Sequence, residues 1–289
     1  MGTEAEFYGK QYEDNIELGS QQMIAKFREK CQVKTGVKGK SKAFGYIDKE
    51  DAREKNARHS KVVHDDPNHT RCTAYLKYKY KSIIQDPDDD LQVLADIKSA
   101  YAKTPLAALN RAMDTALLVA ARGTKYTGED GTTSTALPST SKIAVNAEDI
   151  TLAKITKTLE MFNKADVMDE EPKFWALGPE QLSALLALEK LTSSDYATLK
   201  ALVPGKIGVA LGFHFTVTNL LAKTTTTRFN IAWAQSGLGL AIGQDIVGRI
   251  SELPQYHYAW GAYASMFIGA TRVQDTKVVE IGCKEAVSV

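Results

Sequence analysis

Residues 86–123 read DPDDDLQVLADIKSAYAKTPLAALNRAMDTALLVAARG, the strongest helical signal in the chain. Asp86 is a capping residue and Pro87 suits a first turn. Asp88, Asp89 and Asp90 complement the positive end of a helix dipole. Leu106, Leu109, Met113, Leu117 and Ala120 recur at helical spacing and form one apolar stripe. Pro105 lacks an amide proton, so the pattern predicts a kink or a restart there, with Thr104 as the second cap. Gly123 closes the run. A helix of up to about 34 residues spans about 50 Å at 1.5 Å per residue. Such a length is a scaffold element, longer than most globular domains use.

Immediately upstream, AFGYID (43–48) and TRCTAYLKYKYKSII (70–84) predict strands. In the second, Cys72, Ala74, Leu76, Tyr78 and Tyr80 alternate with Arg71, Thr73, Tyr75, Lys77, Lys79 and Lys81, which gives one apolar or aromatic face and one basic face. Between them lies KEDAREKNARHSKVVHDDPNHT, charged and with almost nothing to bury. A long structureless loop is unusual inside a compact domain, so the expectation is a two-stranded ribbon reaching away from the body. Two strands alone are marginal in water, and the ribbon therefore needs another surface. Residues 1–42 are polar, with one short helical candidate from Ile16 to Lys30 whose apolar positions are Ile16, Met23, Ile24 and Phe27. From Lys26 to Lys61 there are 12 Lys and Arg against 5 Asp and Glu. That local excess suits either a solvated arm or a basic arm lying over a neighbour's acidic surface.

Downstream, TKYTGEDGTTSTALPSTS (124–141) is a loop, followed by a helix over 147–165, a strand KFWALG (173–178) and a helix opened by Pro179. A short helix (Asp195–Leu202), a Pro204-Gly205 break and an apolar strand over 208–221 come next. A glycine-rich strand pair around FNIAWAQSGLGLAIG and two further strands, YASMFIGATRVQ and TKVVEIGCKEA, complete the order. Helices and strands mix without regular βαβ alternation, so the fold class is α+β.

The candidate chemistry is sparse. Cys31, Cys72 and Cys283 are odd in number and far apart, which predicts reduced thiols rather than a disulfide framework. His59, His64 and His69 recur every five residues beside Asp65 and Asp66, but on a hydrophilic loop without the rigid frame a metal site needs. His214 sits between Phe213 and Phe215 as a sheet histidine, and His257 between two tyrosines as a packing residue. SGLGLAIG (236–243) lacks the spacing of a phosphate-binding loop, and its glycines suit a turn or a bulge. The hydroxyl run Thr224 to Thr227 has no catalytic context. No catalytic residue, cofactor or metal is expected. The net charge of +1, from 36 Lys and Arg against 35 Asp and Glu, gives no global field for nucleic acid or anionic lipid. The glutamates of MGTEAEFYGK are unlike a signal peptide, and no apolar run approaches the roughly 20 residues of a membrane span. The expectation is an intracellular product without a membrane partner.

The order of these pieces resembles the major capsid proteins of tailed bacteriophages, the Hong Kong 97-type fold. FWALGPEQLSALLALEK is similar to that family's strand ending in a proline-started helix, and GKIGVALGFHFTVTNLL to its next glycine-containing strand. IGATRVQDTKVVEIGCKEA is similar to its closing strands. The resemblance implies an N-terminal arm (1–42), an extended E-loop (43–86), a peripheral domain with a long spine helix (87–172), an axial domain (173–257) and returning peripheral strands (258–289). It implies self-assembly as hexamers and pentamers into an icosahedral shell in the virion, made in the bacterial host cytoplasm around double-stranded DNA held non-specifically. The family's self-crosslinking triad has no match here and is not carried over. The short region before the E-loop leaves no room for a fused scaffold, so a separate scaffolding protein, a portal and an unprocessed chain are expected. The coreless ribbon and basic arm fit surfaces completed by other copies. Lys49, Arg53, Lys55, Arg58 and Lys61 are the expected subunit contacts, facing acids such as Asp88, Asp89 and Asp90. The alternatives are an encapsulin-like nanocompartment shell, a small enzyme with an unrecognised site, and an adaptor or nucleic-acid-binding module; particle size separates shells from the others.

Overall fold

The computed structural model describes residues 21–55, 57–85, 98–187 and 209–285. Asp86, Pro87, Asp88, Asp89, Asp90, Ile16, the 195–202 helix and the Pro204-Gly205 break lie outside these residues. The described chain divides into two units, one formed by 21–25, 78–85, 98–113 and 244–267 and the other by the remainder.

In the first unit, strand β4 (Lys77–Gln85) flanks β14 (Ala259–Arg272), which also neighbours β13 (Leu238–Leu253). The long helix, α1, spans Lys98–Arg122, and its first part lies along these strands, with Lys79 Nζ donating to the Ala112 carbonyl at 3.0 Å. Thr104 does not open a second helix, because α1 runs on through Pro105. Proline removes one hydrogen bond, while the buried Leu109, Met113 and Leu117, spaced four residues apart, hold one face down beyond it. Tyr78 and Tyr80 are exposed rather than part of a continuous apolar face. Tyr78 shares a 2.8 Å hydroxyl contact with Tyr263.

In the second unit, β3 (His69–Tyr75) stops before Leu76 and is not continuous with β4; the Leu76 amide donates instead to the Lys40 carbonyl at 2.9 Å. Strand β2 (Ser41–Ile47) pairs antiparallel with β3, Phe44 opposite Cys72. The ribbon is not left to itself. The short strands β5 (Lys125–Thr127) and β6 (Thr133–Thr135) extend it to the order β2-β3-β5-β6, and Phe44, Cys72 and Ala74 are buried at its base. Among these residues only the segment between β2 and β3 lacks a core.

The larger sheet of this unit has the order β7-β15-β12-β8-β10-β9, with β11 (Lys223–Thr224) beside β12. Its members are β7 (Lys142–Ile143), β8 (Lys173–Leu177), β9 (Val209–Ala210), β10 (Phe213–Val217), β12 (Thr227–Ala234) and β15 (Val278–Lys284). Every residue of β8 is buried, as befits a central strand covered on both faces. Trp175, Leu177, Phe213, Phe215, Ala232, Val279 and Ile281 form one face with helix α2 (Leu152–Lys164). Helix α3 (Pro179–Leu186), with proline in its first turn as the sequence predicts, adds Leu185 to the same core. The opposite face carries Trp233, whose ring meets Phe27 edge-on at 5.5 Å.

Three local expectations change here. The strand over 208–221 is a hairpin, because Leu211 and Gly212 both have positive φ (52° and 80°) and turn the chain between β9 and β10. The helix expected from 147 begins at 152, since Asn146 and Ala147 also have positive φ and Thr151 accepts the Lys154 amide as a cap. The glycine-rich segment does not pair with the strand before it. The chain changes sheets at Gln235–Gly237, and the start of β13 instead takes β1 (Gln32–Lys34) as a parallel neighbour. The last strand is hydrogen bonded to β12, with Ile231 opposite Glu280. Among the described residues no helix is long and apolar enough to cross a membrane.

Candidate assembly surfaces

Residues 49–55 and 57–69 are exposed, standing on the sheet whose base holds Phe44 and Cys72. Backbone order comes from β2 and β3, and the Asp48 amide donates to the Asn68 carbonyl at 3.0 Å where the ribbon ends. Lys49 meets Asp166 of its own chain at 2.6 Å, both side chains largely in water. That hydrogen bond raises the lysine's pKa and lowers the carboxylate's. Arg53 meets Asp65 at 2.8 Å. Lys55, Arg58 and Lys61 are exposed and pair with no described acid. The five expected contact bases thus separate into two engaged within the chain and three left open. Asp88, Asp89 and Asp90 lie outside the described residues.

The arm contains no helix over its described residues 21–27, only a short 3-10 turn at Arg28–Lys30. Phe27 is buried, whereas Met23 and Ile24 are exposed, because the segment is held by backbone bonds rather than by a helical stripe. Asp114 of α1, itself fully buried, accepts the Lys26 amide at 2.8 Å and the Phe27 amide at 3.1 Å. Trp233 Nε1 donates to the Lys30 carbonyl at 2.7 Å. The Lys30 ammonium reaches the Thr216 hydroxyl and sits over the Phe27 and Phe174 rings. Burial lowers its pKa, while Asp114 opposes that shift. Sequence periodicity missed this clamp, since an aspartate inside the apolar stripe of α1 gives no apolar signal. Its mid-helix position among Met113, Leu117 and Leu118 was the available clue.

Two further charged assemblies fix the scaffold. Arg272, fully buried, pairs with Asp275 at 2.6 Å and donates to the carbonyls of Ala121, Gly123 and Thr135. It thereby satisfies carbonyls left open at the end of α1. Lys154 places its ammonium among the carbonyls of Val145, Glu148, Asp149 and Gly282, each at 2.9–3.0 Å.

Nothing among these groups is arranged for turnover. All three cysteines are free and buried; burial pushes the Cys31 thiol up to about 12 and that of Cys283 to about 11. His214 is exposed at 5.4 Å from the Phe174 ring, not enclosed in the sheet. His257 and its neighbours Tyr256 and Tyr258 are exposed too, and positive φ at His257 and Tyr258 makes them turn residues rather than packing ones. Among the described residues no three His, Cys, Asp or Glu side chains gather around a metal-sized space.

The whole fold is similar to solved capsids. The capsid protein of cyanophage P-SCSP1u superposes with a TM-score of 0.74 at 15% identity, covering 99% of this chain and 96% of that one. That of Ralstonia phage GP4 gives 0.73 at 10% identity over 97% and 96%. Cyanophage Pam1 gives 0.72 at 11% identity over 99% of both chains. No curated protein matches the chain. The family model described as phage capsid protein matches residues 5–285, and with that span almost complete and the α+β capsid architecture in place, the chain belongs to the phage capsid protein family.

Proposed function

We propose that copies of this chain close as hexamers and pentamers into the icosahedral head of a tailed phage, around double-stranded DNA. As a major capsid protein it is a structural molecule of the virion, not an enzyme. A separate scaffolding protein and a portal are the further partners that the resemblance implies. In this reading 1–42 is the arm, 43–86 the E-loop, 87–172 the peripheral domain, 173–257 the axial domain and 258–289 the returning strands. The observation carrying it is the coreless segment between β2 and β3. It is rigidly footed, exposed and charged, and a monomer gains nothing from ordering such a segment. Lys55, Arg58 and Lys61 are proposed to meet acidic groups of an adjacent copy, with Lys49 and Arg53 supporting them through Asp166 and Asp65.

Individually, exposed pairs contribute only about 0–1 kcal/mol, but a closed shell repeats each pair at every subunit. Sedimentation and electron micrographs of particles made in the host cell test the reading. Megadalton shells are expected, and small oligomers alone, with scaffold present, overturn it. Charge reversal at Arg58 and Lys61 should reduce the yield of shells while leaving the secondary structure unchanged.

A further inference from the structure

Tyrosines come close to one another at two places, and the two geometries differ. In the first unit, Tyr78 and Tyr80 of β4 stand beside Tyr263 of β14, the neighbouring strand. The Tyr78 and Tyr263 hydroxyl oxygens are 2.8 Å apart. The Tyr263 ring also stacks with that of Tyr80, centroids 6.0 Å apart and planes at 25°. Tyr78 and Tyr80 are 53% and 66% exposed, so small solutes reach both. In the second unit, Tyr75 and Tyr126 are as near, with centroids 5.4 Å apart, but they meet edge-on at 83°. There the Tyr75 hydroxyl donates instead to the Gly131 carbonyl at 3.0 Å.

The shared hydroxyl contact matters because of where an oxidised phenol carries its spin. Removal of one electron and the phenolic proton leaves an unpaired electron spread over the oxygen and the ring carbons ortho to it. Two such rings couple through their ortho carbons, and the product keeps its hydroxyls side by side, joined by a hydrogen bond. A pair whose oxygens already share a hydrogen bond is therefore close to the product geometry, where orientation contributes most to rate. The surroundings also favour loss of the first proton. Hydrogen bonds from the buried Ser265 and from Tyr263 lower the Tyr78 pKa, and Arg249 adds to the effect. A phenolate yields an electron more readily than a phenol. The same bond raises the Tyr263 pKa in turn, as befits its donor.

We infer that Tyr78 and Tyr263 form an oxidative coupling site, at which a peroxide joins β4 to β14 through a carbon–carbon bond. Each ring gives up one electron and one proton to become a phenoxyl radical. The new bond forms between the two ortho carbons, and each carbon passes its hydrogen to its own ring oxygen, which restores both aromatic rings and both hydroxyls. Hydrogen peroxide takes up the two electrons and two protons and leaves as two molecules of water. Tyr80, stacked on Tyr263, gives a radical formed on the more exposed ring a route to the pair. Among the described strands β4 lies at the edge of its sheet, with β14 as its one neighbour. The bond ties that edge down across 185 positions of chain, a closure whose entropy no local turn supplies.

The test treats the purified full chain with hydrogen peroxide and a haem peroxidase. The expected result is dityrosine fluorescence, with a digest in which the peptides carrying Tyr78 and Tyr263 are joined and lighter than their sum by two hydrogen atoms. The chain should still run as a monomer on a denaturing gel. Tyr263→Phe and, separately, Tyr78→Phe should remove the joined peptide, and Tyr126→Phe should leave it unchanged. Tyr75 and Tyr126, both 41% exposed, are the internal comparison: coupling between Tyr78 and Tyr263 should exceed theirs at least about tenfold, orientation being the difference. Absence of the joined peptide, bridges only at other positions or between chains, or equal coupling at the two pairs overturns the inference. Persistence of the 263 bridge in the Tyr78→Phe chain at the parent's level, through Tyr80, overturns it as well.

Discussion

Replacing Asp114 with Ala should release the arm without unfolding the unit that carries it. The carboxylate accepts two backbone amides, Lys26 at 2.8 Å and Phe27 at 3.1 Å, from a fully buried position. Hydrogen bonds to a charged group contribute about 1.5–3 kcal/mol each. The variant loses both but is also freed from keeping a carboxylate out of water. A net loss of about 3 kcal/mol follows, which raises the open fraction of the arm about a hundredfold at 1.4 kcal/mol per decade. Cys31 reports this opening directly. It is 4% exposed, and its thiol is held up near 12 by burial first and the Asp114 charge second. Alkylation therefore waits for release of the segment. Peptide mass spectrometry after timed alkylation should show Cys31 reacting about a hundredfold faster in the variant, with Cys72 and Cys283 unchanged. Asp114→Asn, which keeps one acceptor, should fall between. A Cys31 rate within a few-fold of the parent chain would refute the clamp, and a parallel rise at all three cysteines would show general destabilisation instead.

Three further outcomes are expected. Glu285, held at about 2 against an ordinary 4.5 chiefly by its hydrogen bond to Arg228, binds its proton more readily in the unfolded chain. Its contribution is therefore complete above about pH 4.5 and fades toward pH 2; Tm measured across that interval should fall, and Glu285→Gln should flatten the part owed to this group. Arg272→Met leaves Asp275 with Lys125 at 2.8 Å but strands the Ala121, Gly123 and Thr135 carbonyls. A loss of about 3–4 kcal/mol is expected by denaturant titration, and a change below about 1 kcal/mol would remove the network from the scaffold. Lys154→Met should cost about 2–3 kcal/mol, because four carbonyls lose their donor in a buried site; calorimetry checks it, and an unchanged Tm would count against the cage.

How much of this was legible beforehand follows from the range over which each signal acts. Periodicity is local, so the Leu109, Met113 and Leu117 stripe, the proline-started α3 and the β2 and β3 strands could be read from adjacent residues. The charge inventory is equally local, and it placed the open bases between β2 and β3. The family order was legible because long helix, coreless loop and strand–proline–helix succeed one another along the chain. What stayed hidden depends on residues distant in sequence. Asp114 meets Lys26 and Phe27 across 88 and 87 positions, Lys154 meets Gly282 across 128, and Arg272 meets Ala121 across 151. A buried charge is stable only beside partners that satisfy it, and those partners exist only once the chain has folded. The break at Leu76, the Leu211-Gly212 turn and the pairing of β15 with β12 have the same origin. Strand propensity marks which residues extend, whereas neighbours on other elements decide where an extended run ends and which strand it joins.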